Sequence, residues 1–392
     1  MDTITHAFAG ALLGKGLFTT RKSETPTEFS PQARVAVFAA TLGSAFPDVD
    51  IFYDIISRDP MATLKYHRYI THSAILMPLW ALGIAWLVRR AARWFGVEPP
   101  SFGWTYLATM VGIASHLLLD VATSFGTMIW SPFNRDRVAW DIIFIIDVTM
   151  TALLLVPQVA SWVHRDEKQN VRRASRMWAL FSVLAFAVSG IANAVGFGFS
   201  LWVVPVASLI FAAVFFLPLR RGWGLRIRRS TWARAGLVAS ALYFIFCAGA
   251  HFVALHRLRE FAVNQKIDAQ KIAALPLAPS ALDWDGLIRA PNGVYRYHQH
   301  LGSSRAIDYD FYPDSPPNSL FDTAVQLPET KTFLWFARFP VFRAARVNGN
   351  RAIEIMDMQF VMNNRTAPGF TFRVTFDAAG NVIQKGLVRD AR

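Results

Sequence analysis

Cysteine is almost absent from the 392-residue chain: Cys247 is the only one, and it lies inside an apolar run. An intrachain disulfide is thereby excluded, and so is a thiolate metal site, which leaves nitrogen and oxygen as the only donors for any bound metal. Charge is scarce as well, at 17% of residues against 53% hydrophobic. It avoids several stretches long enough to cross a bilayer, for which about 20 apolar residues suffice, whereas a soluble chain spreads its charges more evenly. The opening string MDTITHAFAGALLG has an acid at position 2 and no basic n-region, so it reads as a segment kept in the mature protein and not as a cleaved signal peptide. No P-loop, Gly-rich dinucleotide fingerprint or Ser-His-Asp elbow is found, and no internal repeat or low-complexity tract.

What the chain does have is positive charge, +13 in all. In a soluble protein that excess would point to nucleic acid. Here the arginines cluster in short segments between apolar runs, as in Arg89, Arg90 and Arg93 and again in Arg220, Arg221, Arg226, Arg228 and Arg229. Topology and anionic lipid headgroups account for that pattern, so membrane lipid is the expected partner and nucleic acid is not.

Eight apolar segments are marked by hydropathy: 3–19, 33–50, 70–88, 104–125, 140–163, 177–196, 198–219 and 233–256. The first is short and Gly-rich and the second carries Arg34, so either is expected to be a full span or a partly inserted element. Basic residues occupy every second connection: Arg21 and Lys22, Arg89 to Arg93, Arg165 to Arg176, and Arg220 to Arg234. The positive-inside rule makes those loops cytoplasmic and turns connections 51–69, 126–139 and the Gly196-Phe197-Gly198 turn outward, with both termini outside. Beyond residue 257 a short charged helix, Leu258 to Ile272, leads through Pro276 and Pro279 to strand-like runs at 294–299, 332–339, 352–360 and 370–376. The expected fold is mainly α: a polytopic helical membrane domain over 1–256, then a small, mainly β extracytoplasmic domain over 257–392.

Ionisable groups at a membrane face are costly and therefore usually functional. Five clusters qualify: His6; Asp48 and Asp50 in FPDVD; His67 and His72 in HRYITHS; His116 and Asp120 in HLLLD; Asp141 and Asp147 in WDIIFIID. With the topology above, all fall near the outward ends of their segments. His116 and Asp120 are four residues apart, which puts imidazole and carboxylate on one helix face, suited to chelating one ion. His67 and His72, five apart, do not share a face, so one is expected to ligate directly and the other to support, with His72 preferred. Asp147, two turns inside its segment, is expected to ligate metal or to bond a ligand histidine, and Asp141, nearer water, is a weaker candidate of the same kind. Each cluster also has a bland reading, as a helix cap, a solvated turn or an interhelical hydrogen-bond pair. Together they suggest zinc, or manganese or iron at similar sites, with carboxylates enough for two ions and for hydrolysis of a phosphoester.

The strings MDTITHAFAGALLG, FPDVD, HRYITHS, HLLLDVATSFGTMIWSPF and IIFIIDVTMTALLL resemble the membrane-bound metal-dependent hydrolase family (YdjM-like), over roughly residues 1 to 165. A more distant likeness is to zinc-dependent phospholipase C and related zinc nucleases. Their order of an early histidine, an aspartate, another histidine and a His-x-x-x-Asp pair is met by His6, Asp48 or Asp50, His67 or His72, and His116 with Asp120. Their later His-x-x-x-Glu pair is missing, so the resemblance implies one or two ions and not three. It implies a hydrolase acting on a phosphoester of a lipid or lipid-linked molecule at the outer face of the inner membrane, with Asp48 and Asp50 as catalytic candidates. A non-enzymatic scaffold or envelope-stress protein with a structural polar network is the alternative, and a transporter built on Asp147 a third.

Overall fold

The structure, a computed structural model, describes all residues except 21–23, 25–27, 195–199, 201, 278–280, 303–308, 362–369 and 389–392. Arg21, Lys22, Pro279 and the Gly196-Phe197-Gly198 turn thus lie outside the described residues. In chain order the helices are α1 (Thr3–Leu17), α2 (Pro31–Ala45), α3 (Ile51–Ile56), α4 (Ala62–Tyr66), α5 (Met77–Trp94), α6 (Phe102–Val121), α7 (Val148–Val163), α8 (Asn170–Ala194), α9 (Val203–Phe216), α10 (Trp223–Arg226) and α11 (Arg229–Asn264). Strands β1 (Lys271–Pro276), β2 (Asp283–Ala290), β3 (Gly293–His300) and β4 (Tyr309–Pro313) follow, then α12 (Ser319–Gln326) and α13 (Pro328–Phe336), then β5 (Pro340–Val347), β6 (Asn350–Asp357), β7 (Thr371–Phe376) and β8 (Val382–Leu387).

Two compact units emerge: Met1–Val49 with Arg68–Trp140 and Ile145–Phe246, and Asp50–His67 with Asp141–Phe144 and Cys247–Arg392. Within the first, side chains cap the helices where the sequence supplies them. Asp2 accepts from Thr5 N, Ser30 precedes Pro31 at the first turn of α2, and Ser101 accepts from Trp104 N. Helices α1, α2 and α6 approach closely because glycines face backbone: a Cβ on Gly43 would lie 2.5 Å from Thr109 O, and one on Gly10 would lie 2.6 Å from Ala40 O. Ala36, Ala40, Ala108 and Ile113 fill the space between α2 and α6.

Among the described residues five helices are long and apolar enough to cross a membrane, or six if the bent pair Ala62–His72 and Met77–Trp94 is one span. The chain is a membrane protein. Segment 33–50 belongs to a candidate span, Pro31–Tyr53, whereas segment 3–19 forms only the 15-residue α1. Segment 140–163 is shorter than expected. Its helix begins at Val148, capped by Asp147, which therefore stands at the helix start and not two turns inside.

In the second unit β1 to β4 and β5 to β8 form two antiparallel four-stranded sheets in sequential order. Leu275, Leu287 and Val294 of the first sheet pack with Val341 of β5, Phe339 just before it and Met358 in the turn after β6. The strand readings at 294–299 and 370–376 are met by β3 and β7, and the run at 352–360 is strand only as far as Asp357. The helix expected over 258–272 is the end of α11 and stops at Asn264. The run at 332–339 is mostly helix, not strand: Pro328 and Glu329 start α13 and Phe333 and Phe336, three apart, are buried together.

Candidate metal centre

Four side chains of the first unit converge. The 3₁₀ turn Phe46–Asp50 after α2 brings Asp48, the 3₁₀ turn Ile70–His72 brings His72, and one face of α6 brings His116 and Asp120. Each offers a donor atom within 4.8 Å of the others, and all four side chains are buried. Five donor pairs are specified: His72 Nε2 to His116 Nε2 at 3.0 Å, His72 and His116 Nε2 to Asp120 Oδ2 at 3.2 and 3.4 Å, and the same two nitrogens to Asp48 Oδ1 at 3.7 and 3.5 Å. A tetrahedron with metal–ligand bonds near 2.05 Å has edges of about 3.3 Å, so the five separations bracket the geometry such an ion needs.

Protonation and hydrogen bonding agree with that use. His116 Nδ1 lies 2.7 Å from Ser44 O. A carbonyl only accepts, so Nδ1 carries the proton and Nε2 presents its lone pair to the cluster. Each carboxylate commits one oxygen to the protein and aims the other at the imidazoles. Asp48 Oδ2 accepts from Thr3 Oγ1 at 2.6 Å, which leaves Oδ1 toward His72 and His116. Asp120 Oδ1 accepts from the Met1 amine, from His6 Nε2 at 3.1 Å and from Arg68 at 3.0 Å. Its Oδ2 is buried and receives no hydrogen bond among the described residues. A buried carboxylate oxygen without a donor is costly unless a cation meets it, so the residues present fit a divalent ion.

Of the other expected residues, His6 stands beside the group of four and not within it. It stacks on His116 with ring centroids 3.6 Å apart and orients Asp120. Asp50 and His67 belong to the second unit and pair with each other at 3.1 Å. Asp141, also in the second unit, takes both guanidinium nitrogens of Arg338 at 2.7 Å. Asp147 caps α7 through Met150 N and accepts from Tyr243 at 2.9 Å. Sequence reasoning passed over Arg68. Only 2% exposed and with φ of 60°, it reaches Asp120 Oδ1, Asp120 O and Thr123 Oγ1. Its neighbour in the motif, His67, drew the attention, and no residue spacing marked Arg68 as a partner of Asp120.

The profile of the YdjM inner membrane protein family matches residues 1–196, a span that contains the whole group of four. The uncharacterized protein YfhP of Bacillus subtilis (strain 168) is 28% identical over 144 residues, 36% of this chain. The chain covers 41% of that relative's length. No solved structure matches. On its matched half and the motifs within it, the chain belongs to the YdjM inner membrane protein family.

Proposed function

We propose that this protein is a membrane-bound metal-dependent hydrolase that cleaves a phosphoester of a lipid or lipid-linked substrate. The observation that carries the reading is the shared arrangement of Asp48 and Asp120, each with one oxygen held by the protein and the other turned toward the Nε2 atoms of His72 and His116. Those four residues would hold a divalent ion, and two nitrogens with two oxygens suit zinc. A bound ion supplies Lewis-acid polarisation of a phosphoryl oxygen and makes water acidic enough to react near neutral pH. The protein's own part is orientation: Ser44 O sets the His116 tautomer, Thr3 turns Asp48, and His6 with Arg68 turns Asp120. The position of the polar residues beside apolar helices supports a lipid-borne substrate. Alternation of the basic connections supports the outer face of the inner membrane, with the C-terminal domain in the periplasm.

Metal analysis of detergent-purified protein is the first test. Wild type is expected to retain a transition metal and a His116→Ala, Asp120→Ala variant to lose it, together with zinc-dependent cleavage of phospholipids or generic phosphodiesters. Metal-free wild type, or undiminished metal in the variant, overturns the proposal. The full burial of His72, His116 and Asp120 favours a second reading, a structural polar or metal network. That reading predicts unfolding of the same variant with no turnover in wild type to lose.

A further inference from the structure

Away from the metal centre, a cavity of 480 Å³ opens in the first unit among α1, α2, the end of α7 and the start of α11. Four cations line it, Lys15, Arg34, Arg165 and Arg229, against a single acid, Glu28. Glu28 lies 3.5 Å from Arg34, and Lys15 donates to the neutral Gln158. Arg165 and Arg229 have no ion-pair partner among the described residues, and the buried Arg229 Nε has no hydrogen-bond acceptor there. Glu28 in the cavity and Glu24 beside it, which acts on Arg229, offset only part of the four positive charges, and the excess of like charge repels unless an anion joins it. The wall between them is apolar: Phe29, over whose ring Arg229 sits at 4.5 Å, and Phe38, 57% exposed.

The cavity is separate from the metal centre. Lys15 is in the last turn of α1 and His6 in its first turns; Arg34 is in the first turn of α2 and Asp48 follows its end. Nine residues of α1 part Lys15 from His6, about 13 Å of helix.

We propose that this cavity binds the phosphate headgroup of an anionic phospholipid. The cations supply the phosphate site, as basic pockets between membrane helices do, and the apolar wall takes the carbons next to the headgroup, which a free phosphate would leave uncovered. The proposal does not depend on the metal centre or its chemistry.

The test uses the full chain in neutral detergent, with lipid retention followed by native mass spectrometry. The probes are phosphatidylglycerol, phosphatidylcholine of the same chains, and inorganic phosphate. Wild type is expected to hold phosphatidylglycerol at least roughly tenfold more tightly than phosphatidylcholine. Arg34→Gln with Arg229→Gln removes that preference, Arg34→Lys with Arg229→Lys keeps most of it, and the exposed-site variant Arg165→Gln lowers it several-fold without a folding risk. Arg89→Gln with Arg90→Gln, another basic connection, leaves it unchanged, and metal content is the same in every variant. Equal retention of the two lipids overturns the proposal, as does equal loss in the Arg89, Arg90 variant. Inorganic phosphate held as tightly as phosphatidylglycerol overturns the lipid as occupant.

Discussion

Asp120 gathers more charge than any other side chain of the first unit's centre: Arg68 and the Met1 amine on one oxygen, with His72 and His116 facing the other. An unpaired carboxylate at zero exposure would be very costly, so Arg68 and a bound ion are alternative means of neutralising it. Arg68→Ala is accordingly expected to destabilise metal-stripped protein by about 3–5 kcal/mol and metal-loaded protein by less. Arg68→Lys keeps the charge but loses the fork that reaches Asp120 Oδ1, Asp120 O and Thr123 together. Thermal unfolding with and without added zinc checks both, and an equal penalty in the two conditions would contradict the account. In the sequence His116 and Asp120 are legible because helical periodicity alone brings them together. Asp48 and His72 are visible as types in a pattern, but the partition of FPDVD and HRYITHS between a ligand and a bystander is set by tertiary packing. So is the role of Arg68, since no local spacing distinguishes a buried arginine from a loop charge.

The helices that carry the centre are held in register by the absence of side chains. Gly43 on α2 meets Thr109 O on α6, one turn before Asp48 and two turns before His116, so added bulk there shifts two donors relative to each other. Gly43→Ala is expected to cost about 1–3 kcal/mol and to lower metal retention. Gly190→Ala on α8, where a Cβ would meet nothing within 4 Å, is expected to be tolerated in both measurements. Among the strands, Asp285 lies beside His298 and its hydrogen bond holds that imidazole above its ordinary value. A raised histidine stabilises the folded state fully below about pH 6.5, and that stabilisation is lost as pH rises through the folded value. With His298 62% exposed the effect on stability is small. Its ring protons should nevertheless titrate with a midpoint above about 6.5 by NMR, and the midpoint should fall in Asp285→Asn. The sheets themselves were only half legible. Asn348 and Gly349, both with positive φ, make the two-residue turn that joins β5 to β6, a local signal. Strand β2, DWDGLIRA, has Asp and Gly where strands usually place branched or aromatic residues, and only pairing on both sides makes it a strand. The aromatic run of α13 reads as strand by composition, and its proline start and three-residue burial spacing make it helix.

At the scale of the molecule, hydropathy and charge were sufficient for a helical membrane part and a β-rich C-terminal part, because bilayer thickness and backbone satisfaction leave few alternatives. They did not fix helix length: α1, left open between a full span and a partly inserted element, has 15 residues, and α7 has 16 where the apolar segment ran to 24. The bidentate pair of Asp141 with Arg338 joins chain segments nearly 200 residues apart, a link that no sequence window contains. A double-mutant cycle on Asp141→Asn and Arg338→Gln is expected to give a coupling of at least about 0.5 kcal/mol, and additivity would mean the pair is incidental. The brevity of α1 has a consequence of its own. Its 15 residues extend about 22 Å, against roughly 30 Å of hydrocarbon in an ordinary bilayer, yet the polar His6 and Lys15 lie toward its two ends. Both polar groups are met inside the protein, His6 by Asp120 and Lys15 by Gln158, so the short helix asks nothing of the lipid around it. Its seven buried residues make it an internal strut of the helical unit, a piece held by its neighbours and not by the bilayer.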